Sequence, residues 1–142
     1  MLTGRPPVAA VFEGDYPTSR AVQAVLEAHG FGVVSFSERP ADVASTVKSL
    51  GAEVVVLELA MAGASGLQVV RDVTGGVPGC TVILLSPFEA LRDHAVAAGA
   101  YALIGTDLDG LDACLQVRAG NPPTRGPSVT SSESTDLRPV RP

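Results

Sequence analysis

The chain has 142 residues, 46% of them hydrophobic, which suffices to bury one core and excludes two domains of ordinary size. A net charge of −5, with seven basic and 13 acidic residues through Gly120 and no Lys/Arg cluster, argues against direct binding to nucleic acid. No segment resembles a membrane span or a secretion signal, and Cys80 and Cys114 show no metal-ligand spacing, so we expect a cytoplasmic protein with reduced thiols.

Five apolar segments of strand length occur along the chain, and each is followed by a segment with helical spacing. The predicted strands are residues 8–12, 32–36, 54–59, 81–85 and 102–105. The third and fourth strands are apolar throughout rather than alternating, which is typical of strands buried on both faces of a sheet. A parallel sheet covered by helices on both faces fits this pattern.

The predicted helices lie between these strands. They span residues 17–29, 40–50, 65–74, 88–98 and 108–118. Gly30, Gly51 and Gly99 follow the first, second and fourth helices, where a glycine commonly ends a helix. The pair Gly75-Gly76, with Pro78 behind it, is expected to stop the third.

Five strand–helix units with right-handed connections predict an α/β fold, a doubly wound five-stranded parallel sheet in the order 2-1-3-4-5. In such sheets, ligands bind at the carboxyl ends of the strands. Candidate functional residues therefore lie just after each strand. They are residues 13–15, 58–61, 86–87 and 105–107.

Residues 121–142 differ in composition from the rest of the chain. They contain five Pro, four Ser and three Thr, with only three apolar residues other than Pro. Because such a segment cannot bury a core, we predict a domain over residues 1–120 and a disordered tail over residues 121–142. A linker to another domain, a phosphorylatable segment and a short partner-binding peptide are all open interpretations of the tail.

The segment around the third strand end resembles a known motif. In response-regulator receiver domains, an Asp ends the third strand and a Gly lies eight positions later; here Glu58 and Gly66 keep that spacing. Glu13 and Gly14 stand where receivers have an acidic pair, and Ser86 stands where they have a Thr or Ser. The resemblance spans residues 8–118 and implies the flavodoxin-like, CheY-like fold and a role in bacterial two-component signal transduction.

The resemblance also implies a phosphorylation chemistry that this sequence has lost in part. In receivers, the acidic pair and the acceptor Asp hold Mg²⁺, and a Lys after the fifth strand pairs with the phosphoryl group. Here those positions hold Gly14, Glu58 and Thr106. Asp15 could replace the missing acid only if its loop bends back, because adjacent strand residues point to opposite sides. We expect no catalytic residue, no cofactor and weak or absent Mg²⁺ binding, with Glu13 and Glu58 only weak metal candidates.

The loss of the Lys has an electrostatic consequence. Glu13 and Glu58 end strands that are neighbours in the predicted sheet, about 5 Å apart at the backbone. The sequence places no side chain of opposite sign beside them. Like charges that close favour the neutral form, so we expect a raised pKa for at least one of the two carboxyl groups.

The resemblance implies a protein-binding face made by the fourth helix, the fifth strand and the fifth helix. Its candidate apolar residues are Leu91, Ala95, Leu103, Leu111 and Leu115. Some must also face the core, so we expect a subset to be exposed and to bind a protein partner or a second copy of the chain. Leu103 stands where receivers carry a switch aromatic, and alternation places Tyr101 on the same side.

Three functions are consistent with the sequence. The leading interpretation is an atypical receiver, or pseudo-receiver, that regulates by protein–protein interaction without phosphorylation and is not an enzyme. A flavodoxin-like domain that binds a small molecule in the strand-end cleft is the alternative, with backbone N–H groups of residues 14–19 holding an anion. A response regulator that is still phosphorylated at the pocket comes third.

Overall fold

The computed structural model describes residues 5–62 and 66–120. Its elements, in chain order, are β1 Val8–Phe12, α1 Tyr16–Ala28, β2 Gly32–Phe36, α2 Val43–Leu50, β3 Ala52–Glu58, α3 Leu59–Ala62, α4 Gly66–Gly76, β4 Thr81–Leu85, α5 Arg92–Ala97, β5 Ala102–Ile104 and α6 Leu111–Arg118. A 3-10 turn, Glu89–Leu91, precedes α5. The chain divides into two units, Met1–Asp107 with the sheet and Leu108–Pro142 with α6. The predicted tail, residues 121–142, lies outside the described residues and stays a prediction.

The five strands form one parallel sheet in the order β2-β1-β3-β4-β5, which confirms the predicted topology. Strand β1 pairs with β2 on one side and β3 on the other. Its last residue, Phe12, is in register with Phe36 of β2 and Leu57 of β3. This register sets which side chains meet where the strands end.

The main core of the first unit lies between one face of the sheet and helices α2, α4 and α5. Phe12, Leu57 and Leu84 reach it from the strands and are fully buried. Valines supply most of the helix side, including Val47 of α2 and Val73 of α4. Aliphatic residues thus fill the interior, as the composition predicts.

The first two helices begin at an aspartate that the sequence pattern did not identify. Asp15 caps α1, which begins at Tyr16 rather than at residue 17. Asp42 caps α2, which begins at Val43 rather than at Pro40, because the Asp42 carboxylate accepts a hydrogen bond from the Ser45 N–H over 3.0 Å. An aspartate in this position satisfies a free N–H group of the first helical turn, which explains both starts.

The later helices also differ from the predicted boundaries. Helix α4 runs through both glycines to Gly76, so the Gly pair does not stop it, and the chain leaves the helix before Pro78. The predicted fourth helix splits into the 3-10 turn and α5. Helix α6 begins at Leu111 instead of Leu108, because Leu108 and Gly110 have positive φ angles of 65° and 92°, which no α-helix contains.

Two further sequence expectations can be compared with the described residues. Cys80 and Cys114 are both free thiols. In residues 5–62 and 66–120, every helix is too short or too polar to cross a membrane.

Candidate functional site

The first-strand carboxyl group, that of Glu13, is buried. Glu13 follows β1, and its N–H donates to the Phe36 carbonyl oxygen over 3.1 Å, which extends the β1–β2 ladder by one step. Only 3% of the residue is exposed. Its Oε2 accepts a hydrogen bond from the Asp15 N–H over 3.0 Å. The backbone therefore fixes both ends of this residue at the carboxyl edge of the sheet.

Glu58 lies beside Glu13 at the same edge. It is the last residue of β3, is half-buried and pairs with Leu85 of β4. Since Phe12 and Leu57 are in register, Glu13 and Glu58 occupy the next step, and neighbours in a parallel sheet point to the same face. The Glu58 side chain therefore acts on the electrostatics of Glu13.

This arrangement raises the pKa of Glu13 to about 7. Burial is the largest cause, because it disfavours the charged form. The hydrogen bond from the Asp15 N–H acts in the opposite direction, while the proximity and charge of the Glu58 carboxyl group add to the rise. The result agrees with the raised pKa expected from the sequence.

Asp15 does not replace the acid that is missing at Gly14. Its carboxylate accepts hydrogen bonds from the Thr18 N–H over 3.0 Å and from the Thr18 hydroxyl over 2.6 Å, so it faces the first turn of α1. These bonds lower the pKa of Asp15. The side chain is therefore committed to capping the helix. The signal that could have shown this is the aspartate ahead of a helix with Pro17 in its first turn.

Ser86 continues the β4–β5 ladder. Its N–H donates to the Ile104 carbonyl oxygen over 3.0 Å, and its buried hydroxyl oxygen accepts from the Phe88 N–H over 3.0 Å. This geometry is that of an ordinary hydroxyl closing a turn at a strand end. Gly14 and Thr106 are both exposed. Each of the predicted pocket positions thus follows the carboxyl end of a strand, as the topology requires.

The site carries negative charge without a cation. In the described parts of the chain, no Lys, Arg or His contributes to the electrostatics of Glu13, and the charged groups that act on it are Glu58 and Asp15. Among the same residues, no group of three or more His, Cys, Asp or Glu side chains could hold a metal ion. A phosphoryl group placed here would meet two carboxyl groups with nothing to neutralise its charge.

A surface cavity lies away from the strand-end site. It has a volume of about 270 Å³ and lies between α2 and α4, with Arg39, Asp42 and Asp72 among its lining residues. None of the predicted pocket residues lines it. The N-terminus of α1, which the alternative interpretation uses as an anion site, already has the Asp15 carboxylate bound to one of its N–H groups.

The five candidate residues of the protein-binding face are mostly buried. Leu91 is half-buried, whereas Ala95, Leu103, Leu111 and Leu115 are buried. The sequence analysis missed the large apolar residues that are exposed in this part of the first unit, which are Phe88, Val96 and Tyr101, with exposed fractions of 65%, 53% and 44%. Tyr101 does not share the burial of Leu103, because β5 begins only at Ala102.

Solved structures with the same fold are numerous. A response regulator from Thermotoga maritima is 24% identical, with 80% of this chain and 96% of the solved chain covered at a TM-score of 0.67. The receiver domain of a DNA-binding response regulator from Colwellia psychrerythraea is 18% identical, with coverage of 80% and 96% and a TM-score of 0.67. A pilus assembly-related protein from Burkholderia pseudomallei is 18% identical, with coverage of 88% and 98% and a TM-score of 0.69.

The chain therefore has the response-regulator receiver fold, as the resemblance implied. No protein-family model and no curated protein matches the sequence.

Proposed function

We propose that this chain is a pseudo-receiver: a regulatory protein-interaction domain of bacterial signal transduction that acts in the cytoplasm, is not an enzyme and works without phosphorylation of its strand-end pocket. The observation that carries the proposal is the meeting of two acids, the buried Glu13 and the half-buried Glu58, at the carboxyl ends of neighbouring strands. In a receiver able to accept a phosphoryl group, this place needs an Asp acceptor, a bound Mg²⁺ and a cation. Here it holds two acids, and the nearest third acid, Asp15, caps a helix.

Three residue types oppose phosphoryl transfer, each for a separate reason. Gly14 supplies no oxygen to a hard cation, so Mg²⁺ loses a ligand. Glu58 already fills part of the space with a carboxyl group one methylene longer than that of an Asp, beside the buried Glu13. Thr106 offers a hydroxyl where the chemistry needs a positive charge. These losses support a domain whose signal comes from what it binds.

The test is intact-mass spectrometry after incubation with a small phosphodonor and Mg²⁺. We expect no gain of a phosphoryl group in the wild type, while a receiver domain with an intact Asp and Lys, in the same tube, gains one. The single variant Glu58→Asp is the matched control. It restores an Asp acceptor but neither the acid missing at Gly14 nor the Lys missing at Thr106, so we expect it to remain unmodified as well. A stable phosphoryl group mapped to Glu58 in the wild type would overturn the proposal.

We place the partner-binding face on the exposed apolar side chains near α5 and β5. Val96 lies on the outside of α5, Tyr101 precedes β5, and the half-buried Leu91 ends the 3-10 turn before α5. Exposed apolar side chains close together in sequence and structure are typical of protein contacts. A second copy of the chain is one candidate partner for this face.

The experiment compares two matched substitutions at opposite edges of the sheet. Val96→Asp places a charge beside β5, and Val34→Asp places one on the edge strand β2, where Val34 is 37% exposed. We expect Val96→Asp to weaken self-association, measured by sedimentation velocity, by about tenfold or more and to leave the melting temperature nearly unchanged. Equal association by wild type and Val96→Asp would eliminate this face, and a monomer at every concentration would eliminate the homodimer.

A further inference from the structure

Strand β2 leaves one edge of the sheet open. Among the described strands, it pairs with β1 alone. At its start, the Gly32 N–H donates to the Pro7 carbonyl oxygen over 2.8 Å. At its end, the Phe36 carbonyl oxygen accepts from the Glu13 N–H over 3.1 Å. These two bonds determine which backbone groups of β2 remain for another strand.

Val33 and Ser35 direct their backbone groups away from β1. Backbone groups of alternate strand residues point to the same side, so Val34 faces β1 together with Gly32 and Phe36. The two residues between them therefore present two N–H and two C=O groups at the open edge. In the described part of the chain, no strand binds these four groups.

The sequence of β2 contains none of the features that usually protect a sheet edge. Proteins commonly protect an edge strand with a charged residue, a proline or a bulge, or make it very short. β2 has five residues, none of them charged and none of them proline, and its register with β1 is unbroken. The opposite edge strand, β5, has only three residues. The open edge of β2 therefore has the properties of a pairing site.

We infer that β2 pairs with β2 of a second copy of the chain, antiparallel and about a two-fold axis at Val34. The two five-stranded sheets then become one continuous sheet. In this register, Val33 of each copy exchanges two hydrogen bonds with the second copy's Ser35, so all four outward groups are used.

The ends of β2 select this register. A two-fold axis at Val33 would need Phe31 as a partner for Ser35, and an axis at Ser35 would need Ser37 as a partner for Val33. Both Phe31 and Ser37 lie outside β2. The Phe31 N–H is moreover already bonded to the Leu26 carbonyl oxygen over 3.1 Å. The axis at Val34 is therefore the one that pairs every outward group within the strand.

Side-chain packing and charge favour a second copy as the occupant of the edge. Val34 is 37% exposed and meets its own counterpart across the axis, about 4.5 Å away at Cα, so two exposed apolar side chains cover each other. The chain carries a net charge of −5, so two copies repel each other overall, whereas residues 31–37 carry no charge. A two-fold contact here places no acid opposite its own copy.

The contact is small, so the dimer is transient. Each copy contributes the five residues of β2, whereas a stable interface has about 20–30 residues on each side. The pairing lies at the edge of the sheet opposite β5, so it goes beyond the proposed partner face near α5 and leaves that face open. Val34→Asp is therefore expected to weaken association as Val96→Asp does, and cross-linking shows which contact each substitution removes.

The test is cysteine cross-linking in a background where Cys80 and Cys114 are replaced by Ala. Across the two-fold axis, two Val34→Cys side chains lie within disulfide range, whereas two Ser35→Cys side chains are diagonal neighbours about 7–8 Å apart. Both positions are exposed, so oxidised glutathione reaches them equally. We expect Val34→Cys to form the linked dimer about tenfold or more faster than Ser35→Cys, and Val96→Asp to leave that rate unchanged. Non-reducing electrophoresis measures the rates.

Equal rates for the two cysteines, or no linked dimer, would overturn the inference. A second measurement needs no substitution: in NMR spectra of the wild type at increasing concentration, the amides of Val33 and Ser35 are expected to shift, while that of Val56, buried in β3 between β1 and β4, stays fixed. Edge amides that do not change with concentration would also overturn it. Either failure leaves the pseudo-receiver proposal standing, and a phosphoryl group gained at Glu58 would remove that proposal without bearing on this edge.

Discussion

The buried Glu13 lies beside Glu58, one register step beyond the paired residues Phe12 and Leu57. The contact is a product of sheet topology, because β1 and β3 are neighbours only in the order β2-β1-β3-β4-β5. Two acids that are 45 positions apart in the chain therefore meet at one edge of the sheet.

The stability of the domain should decrease as the pH rises through the acidic range. The pKa of Glu13 is about 7 in the folded chain and 4.5 ordinarily, so between these values the folded chain binds more protons than the unfolded chain. The free energy of unfolding from this pair therefore falls from about pH 4.5 and is lowest above pH 7. Urea unfolding at a series of pH values measures this. A free energy of unfolding that rises between pH 5 and 7 would contradict it, unless other carboxylates outweigh the pair.

Glu58→Gln should stabilise the domain above pH 7, because it removes one of two adjacent charges. We expect the free energy of unfolding to rise by about 0.5–1.5 kcal/mol, less than the full shift implies, since solvent screens the half-buried Glu58. The gain should vanish at pH 4, where Glu13 is protonated. Glu38→Gln serves as the exposed control and should change little. Clear destabilisation by Glu58→Gln at pH 8 would mean that Glu58 has a stabilising partner.

Asp42→Ala should destabilise the domain by about 1 kcal/mol, because it leaves the Ser45 N–H at the start of α2 without its acceptor. Asp42→Asn is the matched control, since an asparagine oxygen can accept the same bond. Thermal unfolding of the two variants beside the wild type measures the difference. Equal losses for both variants would show that the charge of Asp42, rather than the cap bond, matters.

Ser86→Ala should cost about 1 kcal/mol, because the Phe88 N–H loses the hydroxyl oxygen that accepts its hydrogen bond over 3.0 Å. Ser86→Thr keeps that oxygen and should cost less. Urea unfolding gives both values. If Ser86→Ala has the stability of the wild type, water replaces the hydroxyl at this turn.

Gly99→Ala should be more damaging than Gly30→Ala. Both glycines have positive φ angles, 112° and 90°, so alanine is strained at either position, by about 1–2 kcal/mol. At Gly30 a new Cβ meets nothing within 4 Å, whereas at Gly99 it would lie 2.6 Å from Thr74 Oγ1. We expect an additional cost of about 1–3 kcal/mol at Gly99.

A double-mutant cycle isolates the steric part of this prediction. Thr74→Ala should recover part of the loss caused by Gly99→Ala, because it removes the nearest atom while leaving the strained φ angle unchanged. The measurement is the free energy of unfolding of the two single variants and the double variant. If the losses in the free energy of unfolding are strictly additive, α4 moves away from Gly99 without a loss of stability.

The strands were the best-predicted part of the fold, for a physical reason. Strand positions follow from apolar runs such as Val54–Val56, and the strand order follows from the rules for parallel connections. Helix starts were less accurate, because the starting residue is set by a side-chain hydrogen bond such as that of Asp42 with the Ser45 N–H. The start of the last helix could not be predicted from apolar spacing, because Leu108 has a positive φ angle that leucine rarely adopts.

At the site, the sequence placed Glu13 and Glu58 together because register and topology suffice for that inference. The role of Asp15 depended on whether its loop bends back, and that is decided by the hydroxyl and N–H of Thr18. Burial of Leu103 beside an exposed Tyr101 could not be predicted from alternation, because alternation holds only inside a strand and β5 starts between them.

The place of β1 inside the sheet also bears on how the sheet is assembled during folding. Among the described strands, β1 lies between β2 and β3, and no ladder joins β2 directly to the other three. Its partner β3 is about 40 residues further along the chain, so a nascent chain emerging from a ribosome can pair β1 only with β2, in the parallel unit β1–α1–β2, until β3 appears. Deleting residues 8–12 would therefore split the sheet rather than trim an edge, and a circular permutation that moves β1 to the other terminus should fold along a different route.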